Sequence, residues 1–243
     1  MRETDEVPAV TSRPAPRLVV YCDYGGVLSD VEFFHRHREP GQPLAGQLDH
    51  GMHRVWHARP EYARAWTLGE MTFEQVIKEM GLTGADPGYL LAALKDDARQ
   101  MTVCESVADM LPGWSRAAAL VLATDNAAEF GQAFDEARRG VHARRHRHCG
   151  PAVMANVAPW FDGVLCSADV RALKAENPQK FFGAHLAVGG YDWDLALLID
   201  DRAGNCDAFR RAGGTAVHWS LHDDTGDLAG PVADWLARRD RPD

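Results

Sequence analysis

The chain has 243 residues, 46% of them apolar, which is enough for one substantial core and too apolar for disorder throughout. A formal net charge of −9 argues against a general nucleic-acid-binding surface, which needs excess basic charge, and no apolar run approaches the roughly 20 residues that span a bilayer. Five cysteines (Cys22, Cys104, Cys149, Cys166, Cys206) stand far apart with no CxxC pair, so neither a disulfide framework nor a zinc ribbon is expected and a reducing cytoplasmic setting fits.

Residues 1–17 (MRETDEVPAVTSRPAPR) carry three prolines and no periodicity, which reads as a tail outside the fold. Leu18 to Tyr21 have the length and β-branched content of a buried strand that ends at Asp23. Gly25 and Gly26 follow, permitting a sharp turn and close approach of backbone to a ligand. In an open α/β sheet, ligands bind at the carboxyl ends of the strands, and a carboxylate there suits a metal ligand or a nucleophile.

From Val31 to about Pro112 the pattern changes to amphipathic helices without a convincing strand. One helix is predicted from Thr72, where Thr72 and Gln75 make a capping box and Gly81 follows the last turn. Asp86-Pro87 opens another, PGYLLAALKDDARQM. Histidines gather here at His35 and His37 and at His50, His53 and His57; the i, i+4 pair His53 and His57 can share a helical face, but solvated surface is the expectation. Ala137 to Gly150 (ARRGVHARRHRHCG), with His142, His146 and His148, is a basic run in an acidic chain and reads as an exposed insertion loop.

Ala117 to Ala123 form the next predicted strand, ending in Thr124, Asp125 and Asn126, and a hydroxyl at a strand end beside backbone N–H groups can hold a phosphoryl oxygen. Phe161 to Ser167 form a third strand, followed at some distance by Lys174 and by a Pro-containing helix start at Pro178. Leu197 to Ile199 form a fourth, ending in Asp200 and Asp201, then a turn through Gly204-Asn205, a helix closed by Gly213-Gly214 and a further strand. Adjacent carboxylates at a strand end repel, and a hard divalent cation with oxygen ligands is the economical counter-charge.

These strand ends, in this order across Leu18 to Trp219, resemble the four motifs of the haloacid dehalogenase-like (HAD) superfamily. Asp23-Tyr24-Gly25-Gly26-Val27-Leu28 is similar to the first motif, with Gly25 where most phosphatases of the family carry a second aspartate as general acid and base. Thr124 matches the second motif, with Asp125 in place of the usual Asn; Lys174 matches the lysine of the third; and LLIDDRAGN is similar to the fourth. LGEMTFEQV resembles a recurrent segment of the family's small helical cap.

The resemblance implies an α/β fold: a Rossmann-like three-layer core with a parallel sheet, split into residues 18–30 and 113–243, and an inserted helical cap at 31–112. It implies a Mg²⁺-dependent phosphatase in which Asp23 attacks a small phosphate monoester, such as a sugar phosphate, to form an aspartyl-phosphate. The metal would be held by Asp23, the Gly25 carbonyl, Asp201 and its partner Asp200. Thr124, Asp125 and Lys174 would meet the phosphoryl group, and Asn205 would tie the turn. The missing proton donor at Gly25 leaves two alternatives: a degenerate relative that binds a phospho-metabolite or partner without turnover, and a 2-haloacid dehalogenase, which needs neither a second aspartate nor a metal.

Overall fold

Five short apolar runs pair as β1 (Val19–Cys22), β2 (Ala119–Thr124), β3 (Gly163–Cys166), β4 (Ala196–Asp200) and β5 (Thr215–His218), a parallel sheet in the order β3-β2-β1-β4-β5. This is a computed structural model that describes residues 18–82, 84–140, 152–222 and 227–239. The tail 1–17 and His142, His146 and His148 of the basic run lie outside the described residues. Successive strand residues face opposite ways: Val20, Cys22, Leu120, Leu122, Leu197 and Ile199 join one apolar cluster, whereas Val19, Tyr21, Val121, Ala123 and Leu198 join another on the far face. Because helices cover both faces, the central strands read in sequence as continuous apolar runs rather than alternating ones. The result is the expected three-layer α/β core.

The β1–β2 connection is helical: α1 (Ala45–His53), α2 (Pro60–Thr67), α3 (Phe73–Met80), α4 (Pro87–Gln100) and α5 (Glu105–Ala117). The expected capping box is present at Thr72 and Gln75, and Gly81 closes α3 at φ 82°. Asp86 caps α4 by accepting from Gly88 N–H, with Pro87 in the first turn. A π-helical turn, Arg54–Ala58, continues α1 and is closed by Arg59 N–H to Arg54 O at 2.9 Å. The boundary expected after residue 112 falls inside α5: the helix runs through Pro112 because Val107, Leu111 and Trp114 keep it buried against the core.

The helical block is joined to the core by packing. Phe33 stands 5.4 Å from Trp66 and 6.0 Å from Phe130, ring centre to ring centre, so one apolar cluster runs from block to core. Ser167 Oγ also donates to Thr67 O at 2.6 Å and Trp66 Nε1 to Glu129 at 2.9 Å. Beyond β2 come α6 (Ala128–Arg139), α7 (Met154–Val157), α8 (Ser167–Val170), α9 (Pro178–Gly189), α10 (Ala203–Arg211) and α11 (Ala229–Arg239). Gly204 and Asn205, expected in a turn, lie in the first turn of α10; the chain turns instead at Asp201 and Arg202. Among the described residues, no helix is long and apolar enough to cross a membrane.

Candidate active site

Parallel pairing aligns the ends of β1, β2 and β4, and so sets Asp23 level with Asp200, with Thr124 one residue further along the neighbouring strand. Asp23 N–H still donates to Ile199 O at 2.9 Å, extending the β1–β4 ladder to this candidate nucleophile. Lys174, which follows α8, is 1% exposed and places its ammonium between the two acids. Its Nζ lies 2.6 Å from Asp200 Oδ2, 2.8 Å from Asp23 Oδ2 and 3.0 Å from Ala123 O, so its three N–H donors are all engaged. Burial by itself would lower the lysine's pKa, but Asp23, Asp200 and Asp125 raise it above the ordinary range and keep it charged. Burial pushes the Asp23 carboxyl up, and Lys174 opposes that shift.

Asp200 and Asp201 are adjacent in sequence but differ in environment. Asp200 is wholly buried, with Oδ1 accepting from Arg202 N–H at 2.9 Å and from Asn205 Nδ2 at 2.9 Å, while Oδ2 accepts from Lys174. Its hydrogen-bonding capacity goes to fixing the turn, and Asn205 is a tie as expected. Asp201 Oδ1 is buried yet has no hydrogen-bond partner among the described residues. Burial, and then Asp200, raises the Asp201 pKa. A buried carboxylate oxygen without a donor is costly, and a cation is one partner that would satisfy it. Carboxylate oxygens of Asp23, Asp200 and Asp201 lie within 4.8 Å of one another, a donor set that fits a hard divalent ion.

The two glycines after Asp23 have separate roles. Gly26 has φ +71°, and a Cβ there would fall 2.3 Å from Asp201 Oδ2, so only glycine lets the turn pass beneath that carboxylate. Gly25, expected to share this constraint, lies outside the left-handed region, is exposed, and has no atom within 4 Å of a Cβ built on it. A side chain there would fit.

Thr124 is buried at the end of β2 and lines the cavity above Asp23. Asp125 also lines it, but its Oδ1 accepts from Lys174 N–H at 3.1 Å, binding the β2 end to the segment that carries the lysine. Burial raises its pKa, with Lys174 opposing. Asn126 N–H donates to Ser167 Oγ at 2.8 Å, and Ser167 Oγ donates in turn to Thr67 O of α2. That relay joins strand end to helical block, and sequence spacing held no sign of it.

A cavity of about 700 Å³ opens over Asp23 and reaches the helical block. Its far wall includes Phe33, Arg38, Asp49, His53, Trp56 and His57. The two histidines are exposed, as expected, and also border the cavity, with ring centres 5.3 Å apart. Their i, i+4 spacing was the visible signal. For Arg38 and Asp49 there was none, since they lie on different segments and meet only in the fold.

No protein-family model matches the chain, and no curated protein does either. Solved structures do. A predicted HAD-like family hydrolase from Porphyromonas gingivalis superposes with a TM-score of 0.60 at 16% identity, covering 92% of this chain and 98% of that one. A HAD-family enzyme from Bacteroides thetaiotaomicron, crystallised in complex with magnesium and inorganic phosphate, gives 0.56 at 14% identity over 85% of this chain and 96% of its own. L-2-haloacid dehalogenase from Xanthobacter autotrophicus gives 0.57 at 16% identity over 93% and 89%. The chain therefore has the fold shared by these HAD-family enzymes.

Proposed function

We propose that the protein is a hydrolase of the HAD-like superfamily, on its phosphatase side, acting on a small phosphate monoester with Asp23 as nucleophile. The observation that carries this reading is the contrast within the fourth motif: Asp200 is saturated by Lys174, Asn205 and backbone, while Asp201 Oδ1 is buried and unpaired. A metal-free dehalogenase has no use for that oxygen, whereas a Mg²⁺ ion does. The neighbour crystallised with magnesium and inorganic phosphate supports the same choice, although dehalogenases share the fold.

Asp23, Asp201 and the Gly25 carbonyl would hold the Mg²⁺, with Asp200 behind them. When bound, the ion would neutralise phosphoryl oxygens and orient the ester. Asp23 Oδ1 accepts from Tyr24 N–H at 2.7 Å and Oδ2 from Lys174, so the carboxylate is held in one orientation at the cavity floor. An Asp23 oxygen attacks phosphorus, the P–O bond to the alcohol breaks, and the aspartyl-phosphate is hydrolysed by water. Lys174 offsets the negative charge that collects there, and Thr124 supplies a hydroxyl at the strand end. With no acid at Gly25, the leaving oxygen takes its proton from water or substrate. The helical block acts as the cap that selects the alcohol. Burial of Asp23 and Lys174 in intact register favours turnover over a degenerate binder.

The test is phosphate release from a panel of phospho-metabolites with and without Mg²⁺, wild type against Asp23→Asn and Asp201→Ala. Asp23→Asn should lose on the order of 10⁴-fold or more in rate while remaining folded. Mg²⁺ should raise the melting temperature of the wild type, because a ligand of the folded state alone stabilises it by mass action, and Asp201→Ala should lose the response. Wild-type rates from Asp23→Asn, or an equal Mg²⁺ response in Asp201→Ala, would sink the assignment.

A further inference from the structure

The two ends of the cavity differ in charge. At the sheet end, Asp23, Asp125 and Asp201 are accompanied by the Lys174 ammonium just beneath and by Arg202. At the helical end, Asp30, Glu32 and Asp49 face a single guanidinium, that of Arg38. Arg38 is already committed: Nη1 donates to Glu32 at 2.6 Å and Nε to Asp49 at 2.6 Å. Its single positive charge is thus already matched by two carboxylates, so an incoming anion meets a net negative cluster.

Trp56 completes this end. It stands on the π-helical turn, 6.4 Å from Phe33, and its indole N–H is buried without a hydrogen-bond partner among the described residues. π-Helical turns in α-helices are frequent at functional sites. The segment carrying Glu32, Phe33 and Arg38 is held from behind, since Asp97 on α4 is fully buried, accepts from Arg36 N–H at 3.1 Å and lies 3.4 Å from His35 Nδ1. Between them Phe34 is buried at φ 59°, a conformation a bulky residue adopts only where its surroundings impose it. This wall is preformed.

We infer that the helical end receives the alcohol part of the phosphate ester and selects for uncharged or cationic alcohols against acidic ones. The inference rests on the cavity being the phosphoester site. An acidic group there meets Asp30 and the outer oxygens of Glu32 and Asp49; apart from Arg38, already paired, and the histidines, no cation lines that end among the described residues, and like charges juxtaposed weaken binding. An ammonium meets the same carboxylates with the Trp56 ring in the same wall, and aromatic rings attract cations. A hydroxyl finds carboxylate acceptors.

The experiment compares kcat/KM for 2-aminoethyl phosphate, glycerol 1-phosphate and 3-phosphoglycerate with Mg²⁺ at constant ionic strength. The expected order falls from cationic to acidic, with at least about tenfold between the extremes. Combining Glu32→Gln with Asp49→Asn frees Arg38 and should narrow or invert that ratio; Arg38→Gln should widen it. Glu32 and Asp49 are largely exposed, so the near-isosteric amides should fold, which a melting curve verifies. Turnover of all three esters without charge preference, or an unchanged ratio in the double variant, overturns the inference and leaves the phosphatase reading standing. If none is hydrolysed, titration calorimetry of the wild type with Mg²⁺ reads the same order as Kd; binding in that order supports the inference without turnover, and binding of none overturns both.

Discussion

Lys174 and Arg38 each hold two carboxylates together at opposite ends of one cavity. Lys174 is 1% exposed and joins Asp23 to Asp200, residues on the neighbouring strands β1 and β4. Arg38 joins Glu32 to Asp49, both of whose side chains are largely open to solvent. The number of ion pairs is the same and their physical weight is not. A buried pair that loses one partner leaves an uncompensated charge at low dielectric, whereas an exposed pair surrenders an interaction that water and salt already weaken. The end that would do chemistry is therefore rigid and intolerant of change. The end that would choose the substrate can be altered cheaply, and a fold used for many substrates benefits from that division.

The largest effect should come from Lys174→Ala. It strands Asp23 and Asp200 in the core and should destabilise the protein by about 3–5 kcal/mol in urea unfolding. A loss below about 1 kcal/mol, no greater than that at an exposed pair, would erase the distinction between the two clusters.

A smaller contrast lies inside the first motif. Gly26→Ala forces a side chain into a left-handed position against Asp201 and should cost about 1–3 kcal/mol, together with the Mg²⁺ response. Gly25→Ala, with open space and no left-handed φ, should cost under about 1 kcal/mol. By the same geometry Gly25→Asp should fold. If it also makes turnover less dependent on leaving-group pKa, then the missing proton donor is a chemical choice and not a steric one. Comparable losses at Gly25 and Gly26 would show that the turn as a whole, rather than the passage beneath Asp201, needs glycine.

The smallest effect on stability is expected at the outer cluster. Glu32→Gln should shift unfolding by about 0.5 kcal/mol or less, because the pair is solvated at one partner. A loss of several kcal/mol would mean that Arg38 is as obligatory as Lys174, and that the outer wall is architecture rather than a selectivity device.

Most of the core was legible because its signals are local. Leu18 to Tyr21 and Leu197 to Ile199 announce buried strands by length and composition, and the acidic residue that follows each run marks the carboxyl edge of the sheet, where the candidate site lies. Thr72, Gln75 and Gly81 delimit α3, and Asp86-Pro87 opens α4, since caps are short-range backbone chemistry. The expected end of the helical block near Pro112 falls inside α5, where burial of Val107, Leu111 and Trp114 carries the helix past a residue that normally breaks one.

The sequence by itself determined an α/β chain with carboxylates at strand ends and a helical insertion between the first two strands, because strand length, apolar continuity and capping are written within a few residues of one another. Only the tertiary structure decided that Asp200 is spent on Lys174 and Asn205 while Asp201 keeps an unpaired oxygen, that Gly26 rather than Gly25 is sterically required, and that Arg38 is clamped between Glu32 and Asp49 across the cavity from Asp23. Those distinctions depend on which side chains meet after the chain has crossed itself. Charge and hydrogen-bond pairing between distant segments leave no periodic trace in the residues that make them.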